Sequence, residues 1–255
     1  MSTRLQAEQH RLFGFEVDSN GDLAPLHMSP VHASTRCLVL GLGRPAQWDP
    51  LLCVWEGVQS ALSLPPPVIA VDGVDGYQLW FSLAEAVPAH TAHRFLRLIA
   101  ARHLADVELA SVRCVPSIDV PEGRGATSLL PVPAEQPVSG HWSAFVSPDL
   151  ARIFEAEPWL EREPNPDAQA DLLSRTVSAS AQAFERALAL LAGDDEAASK
   201  TPRAGSAESV GSVVGTTHCV SDPRVFLLSV MNDPSVDMRI RVDAAKALLP
   251  QATEP

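Results

Sequence analysis

Residues 36–43, RCLVLGLG, and residues 68–83, VIAVDGVDGYQLWFSL, decide how this chain folds. Residues 36–42 are an apolar run rich in β-formers that reads as a buried strand, broken by Gly41, Gly43 and Pro45. In the second block, residues 68–71 read as a strand and Asp72-Gly73-Val74-Asp75-Gly76 carries turn chemistry. Residues 77–83 then alternate Tyr, Leu, Phe, Leu against Gln, Trp, Ser, which completes a β-hairpin. Between the blocks Asp49 offers an N-cap with Pro50 at the first helical position. Leu51, Leu52, Val54, Trp55, Val58, Ala61 and Leu62 follow as a helical apolar stripe, which Pro65-Pro66-Pro67 stops.

Working outward, residues 88–104 read as an amphipathic helix with Phe95, Leu96, Leu98 and Ile99 inside and Arg94, Arg97 and Arg102 outside. Residues 107–115 and 127–132 read as further strands, giving the order βαββαββ. Residues 1–33 form an irregular entry segment with a short strand over residues 11–17. Beyond His141-Trp142-Ser143-Ala144-Phe145, helices are expected near residues 149–154 and over residues 168–192. The expected organisation is an α+β core with trailing helices over residues 1–192, a disordered linker over 193–218 rich in small polar residues, and a helical-hairpin tail over 219–255.

The 255 residues, 46% of them hydrophobic, suffice for one substantial core. No apolar run approaches the roughly 18 residues a membrane helix needs, and the N-terminal residues lack a signal pattern, so a cytoplasmic protein without a membrane partner is expected. A net charge of -12 argues against a strong electrostatic grip on nucleic acid. Cys37, Cys53, Cys114 and Cys219 lack the paired spacing of a zinc knuckle or disulfide framework. His90, His93 and His103 lie on one helix without a further ligand and read as surface histidines.

Gly41-Leu42-Gly43-Arg44-Pro45-Ala46 fits the dinucleotide fingerprint G-x-G-x-x-G/A. The helix must then begin inside the glycine loop, yet Asp49-Pro50 starts it later, and the following strand returns through a tight hairpin. A plain strand-to-loop turn is the better reading. Taken whole, the block from Leu38 to Gly43, the helix, and Val68 through Gly76-Tyr77-Gln78-Leu79-Trp80-Phe81 resembles the archaeo-eukaryotic primase superfamily, which includes primase-polymerases of phages and plasmids. The resemblance covers about residues 36–150. It implies an RRM-like antiparallel sheet with helices packed on it, and a site where two alternating strand aspartates hold divalent metal and a histidine on the hairpin meets the nucleotide's phosphates.

In this chain those positions are Gly41 and Gly43 for the aspartates and Gln78 for the histidine. Asp119, after Val115-Pro116-Ser117-Ile118, resembles a third family carboxylate. Glycine cannot ligate through a side chain and Gln carries neither charge nor a transferable proton, so the resemblance implies a pseudoenzyme, with Mg²⁺ or Mn²⁺ needed only if activity survives. Asp72 and Asp75 are the weak alternative metal ligands beside Asp119, and in a turn they read first as turn formers. Gln78, Arg113 and Arg124, with Arg94 and Arg97 on the helix, are the candidate contacts to a nucleotide or to DNA or RNA.

Residues 222–250 resemble a helical segment of small phage proteins, including small terminase subunits. That implies a replication or packaging partner for residues 219–255. The leading expectation is therefore a non-catalytic accessory protein of a phage, plasmid or other mobile genetic element, acting in DNA replication. An interaction or packaging adaptor working through the tail and an active primase-polymerase with displaced ligands are the alternatives.

Overall fold

A computed structural model describes residues 3–28, 34–117 and 127–200, all within one compact unit, Met1–Ser206. A second unit, Ala207–Pro255, lies outside the described residues, as does the tail expected over 219–255. The elements run α1 (Arg4–Phe13), β1 (Leu26–Met28), β2 (Ser34–Gly43), α2 (Trp48–Ser60), β3 (Val68–Val71), β4 (Gly76–Pro88), α3 (Ala89–His103), β5 (Val112–Val115), β6 (Thr127–Leu129), β7 (Ala144–Val146), α4 (Pro148–Ala151), α5 (Pro166–Ser174) and α6 (Ala181–Lys200). No described helix is long and apolar enough to cross a membrane.

Five strands make one antiparallel sheet in the order β5-β2-β4-β3-β7, while β1 and β6 pair separately. Side chains pack on both faces of the sheet, apart from a cavity over the end of one face nearest β5, which is why β2 is almost continuously buried instead of alternating. On one face Leu38, Leu40, Leu42, Leu79 and Phe81 pack against Leu51, Val54 and Val58 of α2, Phe95, Leu96 and Ile99 of α3, and Phe184, Ala187 and Leu191 of α6. On the other, Cys37, Val39, Ala70, Trp80 and Phe145 pack against Leu12 and Phe13 of α1, Phe15, Leu129 of β6 and Leu173 of α5. Trp80 centres this second cluster, with ring centroids 5.1 Å from Phe13 and 5.7 Å from Phe145. Each fully buried leucine or aromatic here contributes roughly 2 kcal/mol by leaving water.

Several local expectations change. The strand expected over residues 11–17 is replaced by the end of α1 and irregular chain. Thr3 and Gln6 form a capping box, and Gly14 at φ 81 closes the helix in the left-handed conformation. The helix after β2 starts at Trp48 with Gln47 as its N-cap, and Asp49 sits in its first turn. The strand expected over 107–115 shortens to β5 behind a single 3₁₀ turn, Leu109–Ser111. The 127–132 strand shortens to β6, which pairs with β1 instead of joining the main sheet. β7, read only as an unassigned segment in the sequence, supplies the fifth strand.

The single helix expected over 168–192 is two. Asn165 caps α5 by accepting from the N–H groups of Asp167 and Ala168. The chain between α5 and α6 then docks on the far end of β4, where Ala179 N donates to Ser82 O at 2.8 Å and Ala84 N donates to Ala179 O at 2.8 Å. Those main-chain bonds take residues 175–180 out of helical geometry. α6 continues to Lys200, so the first eight residues of the expected linker, 193–200, are helical, and the rest lie outside the described residues. Cys37 is a free thiol, and Cys53 is disulfide-bonded, which its spacing did not suggest. Burial pushes the Cys37 thiol far above its ordinary range.

Candidate functional site

Register puts Arg113 of β5, Gly41 of β2, Gln78 of β4, Ala70 of β3 and Phe145 of β7 in one row across the sheet. Directly opposed residues share a face, so Arg113 and Gln78 flank the bare α-carbon of Gly41 with their backbones about 10 Å apart. Phe145 and Ala70 end the row inside the α1 and α5 cluster. The other half of the row forms the floor of a cavity of about 280 Å³. Gly43 and Asp72 also line it, and the chain from Ser128 to Val132 with Gln136 and Ser143 makes its other wall. Val74 and Leu130, each about half exposed, give that wall and the hairpin tip an apolar lip.

Gln78 is oriented by the core. The Trp80 indole N–H donates to Gln78 Oε1 at 2.9 Å, and since an indole nitrogen can only donate, it selects the amide oxygen. The amide nitrogen is left as a donor and finds no acceptor among the described residues, and Gln78 lines the cavity. Two kinds of donor, an amide and a guanidinium, therefore flank a floor that carries no side chain.

The hairpin turn is an electrostatic unit of its own. Asp72 Oδ1 accepts from the N–H groups of Val74, Asp75 and Gly76 at 2.9, 3.0 and 3.0 Å, so this buried carboxylate is a turn former. Gln136 Nε2 donates to Asp72 O at 3.0 Å and ties the cavity wall to the turn. Asp75 is bracketed by two guanidiniums: Arg44 Nε donates to Oδ2 at 2.6 Å and Arg113 Nη2 donates to Oδ1 at 2.8 Å. The Asp75 carboxylate holds Arg44 charged, raising its pKa above the ordinary value.

The glycines differ in what they require. A Cβ on Gly43 would lie 2.8 Å from Asp75 Oδ1, and one on Gly76, its partner across the pair, would lie 2.5 Å from Leu42 O. Positions 43 and 76 are glycine because the two strands and the Asp75 carboxylate leave no volume there. At Gly41 the nearest atom to an added Cβ is Arg113 Cβ at 3.4 Å, so a small side chain fits and its absence is not forced by packing.

Of the residues singled out in the sequence, Gly41, Gly43, Gln78, Arg113, Asp72 and Asp75 come together at or beside this cavity. Arg94 and Arg97 do not. They are exposed on α3, which packs its Phe95 and Leu96 on the opposite face of the sheet. Asp119 and Arg124 lie outside the described residues. His93 and His103 are not the surface histidines expected: His93 is buried with Nδ1 3.0 Å from Pro116 O, and His103 packs against Gly57. Arg44, Trp80 and Gln136 were missed. Arg44 stands one residue past the glycine pair, a signal that was available; the other two act through contacts that only folding creates.

No family model matches the chain, and no curated protein matches it either. The described residues do not suit a pair of divalent metal ions. Positions 41 and 43 bring no ligand, Asp72 Oδ1 is spent on three amides, both Asp75 oxygens meet guanidiniums, and the Arg113 charge would repel a cation. Among the described residues no group of three or more His, Cys, Asp or Glu side chains is placed to hold a metal ion.

Proposed function

We propose that this protein is a non-catalytic, primase-like accessory that binds a nucleotide or a nucleic-acid strand during replication of a phage, plasmid or other mobile element. The observation that carries the reading is the pairing of Gly41 with Gln78 on the floor of one cavity, with Arg113 on Gly41's other side. The resemblance requires those positions to share a face within reach of one ligand, and they are cross-strand neighbours.

The arrangement suits binding and not phosphoryl transfer. A ligand carrying phosphate would find a guanidinium and an amide donor at the floor, and an apolar base would find Val74, Leu130 and the Leu129–Val132 wall. An antiparallel sheet with one partly open face, backed by helices on the other, is consistent with an RRM-like platform. Phosphoryl transfer needs metal ions to neutralise developing charge, and Gly41, Gly43 and Gln78 bring no carboxylate to hold them.

Titration of the full chain with dATP and with oligo(dT) tests the reading. Binding should be measurable with the wild type and about tenfold weaker in Gln78→Ala, which removes the donor at the floor. A chain that binds neither probe is not a nucleotide or strand binder, and the proposal is then abandoned. Primer synthesis from template and nucleotides with Mg²⁺ or Mn²⁺ should be absent; its appearance would favour the reading as an active primase-polymerase with displaced ligands.

A further inference from the structure

We infer that the Asp75 carboxylate is a resident anion in a phosphate subsite built by Arg113 and Arg44, so that a ligand's phosphate must displace it to bind. This rests on the proposed function and adds how the same site is regulated. Three observations converge. Both carboxylate oxygens are engaged, one by each guanidinium, at 2.6 and 2.8 Å. The carboxylate sits in the volume that a side chain at Gly43 would fill, at the edge of the cavity whose floor Gly43 shares with Arg113. Arg44 reaches it from a left-handed backbone at φ 63, which a bulky residue rarely adopts, with Arg44 N donating to Asp75 O at 3.3 Å.

Two guanidiniums converging on one oxyanion is the geometry that also receives phosphate, because the planar fork matches either group. The pairs are solvent-accessible: the Arg113 and Arg44 side chains are 55% and 74% exposed. Exchange of a carboxylate for a phosphate therefore costs little, since exposed ion pairs are weak and screened. Asp75 is not needed to hold the turn, because Asp72 accepts the three turn amides by itself. The carboxylate thus acts as a competitor: it keeps Arg113 aligned in the empty site, and it lowers the affinity for any phosphate that arrives.

The phosphate belongs either to a free nucleotide or to a strand backbone, and the probes separate them. Full-length wild type, Asp75→Asn, Asp75→Ser and Arg113→Ala are titrated with inorganic pyrophosphate, dATP and oligo(dT), with thermal melting as the check on folding. Removing the competitor should tighten pyrophosphate binding about three- to tenfold in both Asp75 variants, and Arg113→Ala should abolish it. A matching gain for dATP alone assigns the subsite to nucleotides, and a gain for oligo(dT) assigns it to a strand. Unchanged or weaker pyrophosphate binding in two folded Asp75 variants overturns the inference, and if dATP still binds through Gln78 the proposed function survives. Should no protein bind any probe, both fall together.

Discussion

The two faces of the central sheet are made by the same strands but were finished differently. Against α2, α3 and α6 every position is filled, with Leu38, Leu40, Leu79 and Phe81 interlocked with helix side chains. On the other face the half nearer β7 is equally full, packed with Phe13, Trp80 and Phe145, while the half nearer β5 ends in glycines, a glutamine and an arginine under a cavity. One sheet thus carries a face devoted to stability and a half-face relieved of it. A row of alternating large apolar residues makes a core, whereas the same row interrupted by Gly41 and Gly43 makes a recess.

The largest expected effect tests that contrast directly. Leu40→Ala, on the packed face at a fully buried position, should cost about 3 kcal/mol in chemical denaturation. Its neighbour Gly41→Ala should cost less than about 1 kcal/mol, because the added methyl enters the recess, and yet it should weaken dATP binding. Comparable losses at both positions would break the distinction between the faces. Gly76→Ala sharpens it further: the new Cβ meets main-chain atoms of Leu42 and Gly43, and a cost of about 2 kcal/mol or more is expected in the same assay.

A smaller effect is expected where the full half of the second face meets the sheet edge. Gln169 reads the edge strand as another strand would, Oε1 accepting from Phe145 N at 2.8 Å and Nε2 donating to Phe145 O at 3.0 Å. Gln169→Ala leaves both buried groups unpaired and should cost about 2 kcal/mol, measured as a shift in the denaturation midpoint at constant slope. The smallest effect belongs to His103, behind the packed face. Burial and the neighbouring Arg102 lower its pKa below the ordinary 6.5, so the folded state favours the neutral ring. The unfolded chain takes up the proton first as pH falls, and stability should therefore drop as pH goes below about 6.5. Melting temperature against pH checks this, with His103→Gln expected to flatten the slope.

Much of the core was legible because its signals are local. β2, α2, β3 and α3 are each marked by a period of apolar residues bounded by Gly or Pro, and they stand within a residue or two of where the pattern puts them, while β4 begins where expected but runs on to Pro88, five residues past its expected end. The errors fall where a contact distant in sequence overrides the local pattern. Residues 175–180 leave the helix because β4 offers main-chain partners, and β6 pairs with β1 although its sequence reads like a sheet strand. The Thr3 capping box shows that α1 was readable and was passed over.

The site divides along the same line. That Gly41, Gly43 and Gln78 are unlike their neighbours could be read from residue types alone, because side-chain chemistry is carried by each residue wherever it lies. That Arg113 joins them, that Arg94 and Arg97 do not, and that Asp75 is clasped by two guanidiniums in the space Gly43 leaves open were decided by strand register. Register depends on how the whole sheet buries its two faces, a sum over distant residues that no single stretch of sequence contains.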